Sequence, residues 1–270
     1  MVLLTSNTKT EKTDAAQSEY LTKIMQLAPH DTAGIKQNGK RHTVCMHSTP
    51  SCRAFCLFET GYGKFENVAG ARIERTQFLF DAPIEFKAQL TKETGNFMRL
   101  CDKKQKRPAI RLNGFSDLLW ESIMPEYFDK FSDCQFYDYT KYPFGKRPTN
   151  LLPANYHLTF SKSEKTTRQN MLMELTQGRN VACVFRDKLP EIYQLNISGV
   201  TLENFDIIDG DKSDLRFLDG TNKVIGLVAK GNAKKEENKG FVLNTDKLMH
   251  APNLGRTKIE SYYMDSKLYD

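Results

Sequence analysis

Three cysteines are the residues whose types and spacing most directly suggest chemistry. Cys45, Cys52 and Cys56 lie within twelve residues, in the pattern C-x6-C-x3-C, and make up half of the six cysteines in the chain. Three thiolates can bind one metal centre and leave a coordination position open, as an iron–sulfur cluster or a catalytic zinc site requires. Two other interpretations stay open, a disulfide or simple packing of small apolar side chains.

The residues around this cysteine loop bear on which metal it would hold. His42 or His47 could supply a fourth ligand and complete a zinc site. The other cysteines, Cys101, Cys134 and Cys183, are isolated in the sequence, so we expect them to be buried as packing residues.

Three strand-like segments could bring polar side chains together in one cup. In AIRLN (109–113), QFYDYT (135–140) and YHLTFS (156–161), successive side chains point to opposite faces. We expect Ile110, Tyr139 and Leu158 to face helices, while the other face lines the mouth of a barrel. The alternative is the solvated face of an antiparallel sheet. The expected cup residues are Arg111, Asn113, Asp138, Thr140, His157, Thr159 and Ser161.

Acidic residues follow two of the predicted strands. Asp117, in RLNGFSDLLWE, is best placed to cap the next helix. Asp211 and Asp214, in DIIDGDKSDLRFLD, could bind Mg²⁺ or ribose hydroxyls, or could simply form a turn. If they belong to a site, we expect them at the same end of the sheet as the cysteine loop.

Strand-like and helix-like segments alternate along the chain. The helical pattern covers Glu19 to Leu27, Ala71 to Leu90 with a break near Pro83, Leu118 to Phe131, and Lys162 to Thr176 before Gly178. The alternation predicts an α/β fold, a complete or partial (β/α) TIM-like barrel with a mainly parallel sheet. A doubly wound open sheet is the alternative. The predicted strands are 42–47, 109–113, 135–140, 156–161, 181–185, 205–208 and 223–229.

Composition indicates one globular domain. Residues 1–16 are polar and predict a flexible N-terminal segment, and 17–270 predict a single barrel-like domain. The longest apolar runs are too short to span a bilayer, and the N-terminus lacks the pattern of a signal peptide, so we expect a cytoplasmic protein without membrane contact. The net charge of +6 permits binding of nucleic acid or phosphorylated metabolites. The oligomeric state is not predicted.

Several separated motifs resemble, in order, an uncharacterised family of phage proteins that is similar to radical S-adenosylmethionine β/α barrels. The motifs are APHDTAG, the cysteine loop, ARIERT, RLNGFSDLLWE, YDYTK, YHLTFS and IDGDKSDLRFLD. The resemblance implies that Cys45, Cys52 and Cys56 hold a [4Fe–4S] cluster, that S-adenosylmethionine is a cofactor, and that the protein acts in the infected host cell. Those enzymes usually show C-x3-C-x2-C, so the loop here is longer.

The leading hypothesis is a phage-encoded iron–sulfur barrel enzyme that acts on a small-molecule or nucleotide substrate. Its proton or charge handling is assigned to Asp138, Lys141 and Asp211. One alternative is a nucleobase transglycosylase-like enzyme that modifies nucleic acid, with zinc on the cysteines and Asp138 or Asp117 as nucleophile. Another is a non-enzymatic phage protein that binds host protein or nucleic acid. The expected substrate-binding residues are Arg111, Asn113, Asp117, Thr159, Ser161 and Asp214.

Overall fold

The computed structural model describes residues 1–16, 19–34, 36–37, 40–59, 61–197, 201–235 and 240–244. Within these ranges the chain forms α-helices, strands and short 3-10 turns. The helices are α1 (Thr8–Ala16), α2 (Pro50–Ala54), α3 (Glu66–Asp81), α4 (Pro83–Lys103), α5 (Trp120–Ile123), α6 (Pro125–Lys130) and α7 (Arg168–Thr176). The strands are β1 (Leu4–Thr5), β2 (Tyr20–Met25), β3 (Lys36–Gln37), β4 (Lys40–Arg41), β5 (Arg107–Arg111), β6 (Gln135–Thr140), β7 (Tyr156–Ser161), β8 (Val181–Phe185), β9 (Ile192–Ile197), β10 (Thr201–Asp209), β11 (Val224–Val228) and β12 (Val242–Leu243).

One large, mostly parallel sheet organises the fold. Its strand order is β1-β2-β5-β6-β7-β8-β11-β10-β9, with the short β12 beside the end of β8. The strands from β2 to β10 in this order run parallel, and the two edge strands β1 and β9 run antiparallel to their neighbours. The predicted α/β class and mainly parallel sheet are confirmed. The sheet is not closed, because β1 and β9 form its two edges in the described part of the chain.

The helices α3 to α7 pack against one face of this sheet. Phe86, Leu90 and Phe97 of α4 are almost fully buried in the same apolar cluster as Ile110 of β5 and Leu158 of β7. Burial of each such side chain stabilises the fold by roughly 1.5–3 kcal/mol. A second cluster joins α7 to β8 in the same way. The packed helices therefore define an outer face, and we call the opposite face of β2, β5, β6 and β7 the inner face.

The inner face is covered by α1 and by the connection between β10 and β11. The Thr22 hydroxyl of β2 donates to Asp14 Oδ1 of α1 at 2.6 Å, so the helix lies across the strand. We call residues 210–219 the β10–β11 loop. Its Leu215 packs with Tyr20, Ala109 and Tyr137 from three neighbouring strands. The first 16 residues, predicted to be flexible, thus form a strand and a helix that pack on the sheet.

The alternating segments were the easiest to predict. The strands expected at 135–140, 156–161 and 181–185 match β6, β7 and β8 residue for residue. The helix break near Pro83 is confirmed, since α3 ends at Asp81 and α4 begins at Pro83. Gly178 has φ +85° just after α7, the left-handed conformation that favours glycine at a helix end.

Three of the predicted elements were wrong. Residues 20–25 form strand β2, not a helix. Its apolar residues come in two adjacent pairs, Tyr20-Leu21 and Ile24-Met25, whose spacing of four positions also fits a helix. The expected strand at 42–47 is irregular. The single helix expected from Leu118 to Phe131 is split into α5 and α6, because Pro125 begins a new helix.

None of the helices in the described ranges is both long enough and apolar enough to cross a membrane.

Candidate functional site

A row of polar side chains crosses the inner face of the sheet. Tyr139 of β6 lies opposite Thr159 of β7, and Tyr137 lies opposite His157 one step earlier along the same strands. Arg111 of β5 extends over the first of these pairs, with its guanidinium carbon 4.7 Å from the centre of the Tyr139 ring. Three neighbouring strands therefore deliver one connected group of donors and acceptors, which we call the inner-face row.

Four buried atoms of this row have no hydrogen-bonding partner among the described residues: Arg111 Nε, Tyr139 Oη, Thr159 Oγ1 and His157 Nε2. Nearly all buried polar groups in proteins are hydrogen-bonded, and leaving one unpaired costs roughly 1–3 kcal/mol. Four such atoms on one face of three adjacent strands are typical of a site whose hydrogen bonds are completed by a bound molecule.

A buried ion-pair network anchors one side of the row. Arg111 Nη1 lies 3.3 Å from Asp214 Oδ2, and Lys9 Nζ of α1 lies 2.9 Å from Asp214 Oδ1. The Tyr137 hydroxyl donates to the same carboxylate at 3.3 Å. Burial alone would raise the pKa of Asp214, but the neighbouring charges of Arg111 and Lys9 lower it below its usual value. Asp214 is therefore ionised and holds the Arg111 side chain in place.

A second buried guanidinium, that of Arg216, lies near His157 of β7. Arg216 is fully buried, donates from Nη2 to the Ser213 carbonyl at 2.7 Å, and leaves Nη1 without a partner. Its Nε lies 3.2 Å from Asp219 Oδ2. Burial, together with the charge of Arg216 and then of Arg179, lowers the pKa of His157 to about 4. The His157 imidazole is therefore neutral at neutral pH.

Lys141 and Ser161 lie at the carboxyl ends of β6 and β7, above the row. Lys141 Nζ donates to Ser161 Oγ at 3.0 Å and to the Ser161 carbonyl at 3.1 Å. The same ammonium lies 5.6 Å from the centre of the Phe241 ring. The structure thus brings together two predicted site residues that are twenty positions apart in the sequence.

Asp138 and Asn113 do not line this row, contrary to the prediction. Asp138 alternates with Tyr137 and Tyr139 and therefore points to the outer face, where its Oδ2 accepts from the Tyr156 hydroxyl at 2.7 Å. The Asn113 backbone N–H donates to Oδ1 at 2.7 Å, and its amide donates to Oδ2 at 3.2 Å. Burial raises the pKa of Asp138 to about 7 despite these bonds. The network is fully hydrogen-bonded and holds the β5–α5 turn.

Asp117 belongs to the same outer network and is not a helix cap. Its Oδ2 accepts from the Lys141 backbone N–H at 2.7 Å, and its Oδ1 lies 3.4 Å from Arg147 Nη1. The residue before α5 is Leu119, and no side chain caps that helix. Arg147 was missed by sequence reasoning: it is 3% exposed and pairs with Glu121 at 2.6 Å. Its only sequence signal was a short basic cluster.

Asp211 lies at the expected end of the sheet. Its Oδ2 accepts from the Val228 N–H at the end of β11, and its Oδ1 pairs with Lys230 Nζ at 2.6 Å. Burial would raise the pKa of Asp211, but the hydrogen bond from Lys230 helps to lower it. The cysteine loop follows β2 and lies at the same carboxyl end, as predicted. The catalytic role of Asp211 stays a prediction.

The cysteine loop is held by contacts from three connections. Glu164, after β7, accepts from the Thr49 hydroxyl and the Ser51 N–H at the start of α2. Cys45 Sγ accepts from the His30 N–H at 3.3 Å and donates to the Phe115 carbonyl at 3.2 Å. Burial raises the pKa of the Cys45 thiol to about 12, so this sulfur is protonated at neutral pH.

Among the described residues, the three thiols are not grouped as ligands of one metal ion. All six cysteines are free, which argues against the disulfide alternative. Across the described residues, no group of three histidine, cysteine, aspartate or glutamate side chains could hold a metal ion. The hydrogen-bonded, protonated Cys45 also differs from a thiolate ligand. The metal role of Cys45, Cys52 and Cys56 stays a prediction. The other three cysteines are buried, as expected for packing residues.

The fold and the site define a class of protein: an open, mainly parallel α/β sheet with helices on its outer face and a polar row on its inner face. A family model described as Gene product 88 matches residues 1–245, so the chain belongs to this family of phage gene products. This match confirms the phage family, and gives no radical S-adenosylmethionine family. Neither the search of curated proteins nor the search of solved structures found a match.

Proposed function

We propose that the protein binds a small phosphate-bearing molecule, of the nucleotide class, on the inner face of its sheet. The observation that carries this proposal is the inner-face row, in which four buried polar atoms of β5, β6 and β7 have no partner in the part of the chain that the structure describes. A bound ligand that accepts from Arg111, Tyr139 and Thr159 would satisfy most of them at once.

The charge of the surroundings favours an anion. Lys9, Arg111 and Arg216 supply three positive charges near the row, while Asp214 and Asp219 supply two negative ones. Arginine is suited to phosphate because its planar guanidinium offers several donors in a fixed geometry. Asp214 pairs with Nη1 of Arg111 and so orients the side chain, while Nε has no partner among the described residues and could donate to a ligand.

Lys141 and Ser161 supply the most suitable groups for chemistry on such a ligand. They lie at the carboxyl end of the sheet, where active sites of parallel α/β proteins lie. The Lys141 ammonium can stabilise negative charge on a phosphate or move a proton to or from Ser161 Oγ, 3.0 Å away. Asp138 is less suited than predicted, because it accepts three hydrogen bonds on the other face. The transglycosylase alternative thereby loses its first candidate nucleophile.

The test is a comparison of ligand binding in single-atom variants. Titration calorimetry with inorganic phosphate, a nucleoside monophosphate and the matching nucleoside should show binding that depends on the phosphate group. Tyr139→Phe and Thr159→Val each remove one hydroxyl of the row, and each should weaken that binding about tenfold, or about 1.4 kcal/mol. Neither variant should lower the melting temperature of the ligand-free protein, because each deletes a polar group that has no partner.

Tyr193→Phe is the matched control, because Tyr193 is buried in the apolar cluster of β8 and α7, away from the row. The Tyr193→Phe variant should bind the phosphate compounds as tightly as the wild type does. Failure of every phosphate compound to bind, or unchanged affinity in both row variants, would contradict the proposal.

An iron–sulfur enzyme is the second candidate function. The observation that favours it is that all three cysteines lie on one loop, which Glu164 and the Phe115 carbonyl hold at the carboxyl end of the sheet. This loop comes after the first parallel strand, where the resemblance to radical S-adenosylmethionine enzymes would place a [4Fe–4S] cluster. Zinc on the same residues is the alternative. Metal analysis separates these cases, as argued at the end of the Discussion.

A further inference from the structure

Basic side chains are concentrated on three connections at the carboxyl end of the sheet. We call the connections after β7, β8 and β11, residues 162–167, 186–191 and 229–235, the basic rim. Its acidic residues are Glu164, Asp187 and Glu191. The connection after β11 continues with Glu236, Glu237 and Lys239, which lie outside the described residues. Its basic residues are Lys162, Lys165, Arg186, Lys188, Lys230, Lys234 and Lys235.

Two connections of the rim contact each other directly, and the first connection is bonded to Gly240, just before β12. Arg186 Nη1 donates to the Lys234 carbonyl at 2.7 Å, which joins the second connection to the third. Lys162 Nζ donates to the Gly240 carbonyl at 2.6 Å. Ala233 packs in a small apolar cluster with Val184 and with Phe55 of the cysteine loop. The positive charges therefore lie along a continuous edge that borders the cysteine loop.

Part of the acidic charge on this edge is already engaged in the protein. Glu164 accepts from Thr49 and Ser51, and these bonds help to lower its pKa although burial alone would raise it. Lys234 and Lys235 are exposed at the outer side of the rim. The described rim residues carry seven basic and three acidic side chains, a net charge of +4, although Lys230 also pairs with Asp211. A surface of this kind attracts a polyanion.

Aromatic pairs flank the same edge. The rings of Phe55 and Phe241 are 5.8 Å apart, and those of His47 and Tyr142 are 4.2 Å apart. All four side chains are partly exposed. Aromatic rings next to a basic track suit unpaired bases, which can stack on them, whereas the bases of a duplex stack on one another.

We propose that the basic rim binds single-stranded nucleic acid, with the phosphates of the strand along the rim lysines and its bases on the flanking aromatic rings. This inference goes beyond the proposed function. The unpaired atoms of the inner-face row belong to three adjacent strands and suit one phosphate-bearing group, whereas the rim follows three connections and suits a longer polyanion.

The test compares two charge reversals that alter the net charge equally. Binding of a labelled single strand of about 20 nucleotides is measured by fluorescence anisotropy at low and at moderate salt. The rim variant is Lys234→Glu with Lys235→Glu. The control is Lys103→Glu with Lys104→Glu, which lies at the end of α4 and at the opposite end of the sheet, before β5. Both variants are checked for an unchanged melting temperature.

We expect the rim variant to bind the single strand at least tenfold more weakly and with a smaller dependence on salt, while the control stays within about threefold of the wild type. Phe241→Leu, which keeps an apolar side chain, should weaken single-strand binding about tenfold and leave duplex binding unchanged.

Three results would overturn the inference: no single-strand binding at low salt, equal loss in the rim and control variants, or duplex binding as tight as single-strand binding. Calorimetry with the nucleoside monophosphate keeps this test separate from that of the inner-face row. The rim variant should bind the monophosphate like the wild type, so each proposal can fail without the other.

Discussion

Arg111 Nη1 lies 3.3 Å from Asp214 Oδ2, and this buried pair joins β5 to the β10–β11 loop across the inner face of the sheet. The two residues are 103 positions apart in the chain. The Asp214 side chain is only 1% exposed and is shared with Lys9 of α1. Asp214 therefore connects α1, β5 and the β10–β11 loop at the candidate site. It also fixes the position of the Arg111 guanidinium, which we expect to bind the ligand.

The first prediction is that Asp214→Asn strongly destabilises the protein. The substitution leaves the buried Arg111 and the partly buried Lys9 without their shared carboxylate, and breaking a buried pair from one side typically costs about 3–5 kcal/mol. Urea unfolding should show this loss as a lower midpoint. The matched control is Asp206→Asn, because Asp206 is 70% exposed in its pair with Lys223 and should change stability by less than about 1 kcal/mol. Equal effects of the two variants would contradict the prediction.

The second prediction concerns the pH dependence of stability through Asp138. Burial raises the pKa of its carboxyl to about 7, so the folded protein binds this proton more tightly than the unfolded chain does. The resulting stability is fully present below the unfolded pKa near 4 and is lost as the pH rises through about 7, by up to about 4 kcal/mol. The Asp138→Asn variant has no titratable group at this position. The difference in unfolding free energy between wild type and variant should therefore change between about pH 4 and pH 7. A difference that stays constant between about pH 4 and pH 8 would contradict this assignment.

The third prediction concerns His157, whose protonation changes stability with pH in the direction opposite to that of Asp138. Burial and the charges of Arg216 and Arg179 lower its pKa to about 4, so the folded protein binds the proton more weakly than the unfolded chain. Its contribution is present above the unfolded pKa near 6.5 and is lost as the pH falls through about 4, by up to about 3 kcal/mol. In an NMR titration, the ring C–H signals of His157 should keep the neutral shift down to about pH 5. A midpoint above pH 6 would contradict this assignment.

The sheet shows which parts of the fold could be predicted from the sequence. Strands β6 and β7 alternate between apolar and polar side chains, and their bounds were predicted without error. Strand β2 buries alternate residues, but its apolar residues come in two adjacent pairs four positions apart, so the sequence shows no period of two and was mistaken for a helix. The parallel order was predictable from the alternation of elements, but the open edges were not, since closure depends on how the first and last strands meet.

Site residues could be predicted only where the alternation of side chains along a strand determines which face of the sheet they lie on. Arg111, Thr159 and Ser161 lie on the expected face. Strand β6 was assigned the wrong face because Asp138 is the charged residue, whereas the structure buries that charge among three donors and turns Tyr139 inward. The contacts of Lys9 and Arg216 with Asp214 and Asp219 could not be predicted, because they depend on tertiary packing.

The last prediction concerns the three-cysteine loop and its metal. We expect protein purified without oxygen to contain iron with sulfide, or zinc, and we expect Cys52→Ser to lose that metal. Cys101→Ser should leave metal content unchanged, because Cys101 is buried in the packing of α4. The protonated Cys45 must lose its proton and its bond to the Phe115 carbonyl before it can bind a metal, so loading should increase with pH. The prediction would be contradicted by a colourless, metal-free wild type or by full metal retention in Cys52→Ser. Either result would make the three cysteines structural thiols, on a loop that Glu164 and the turn after β5 hold in place.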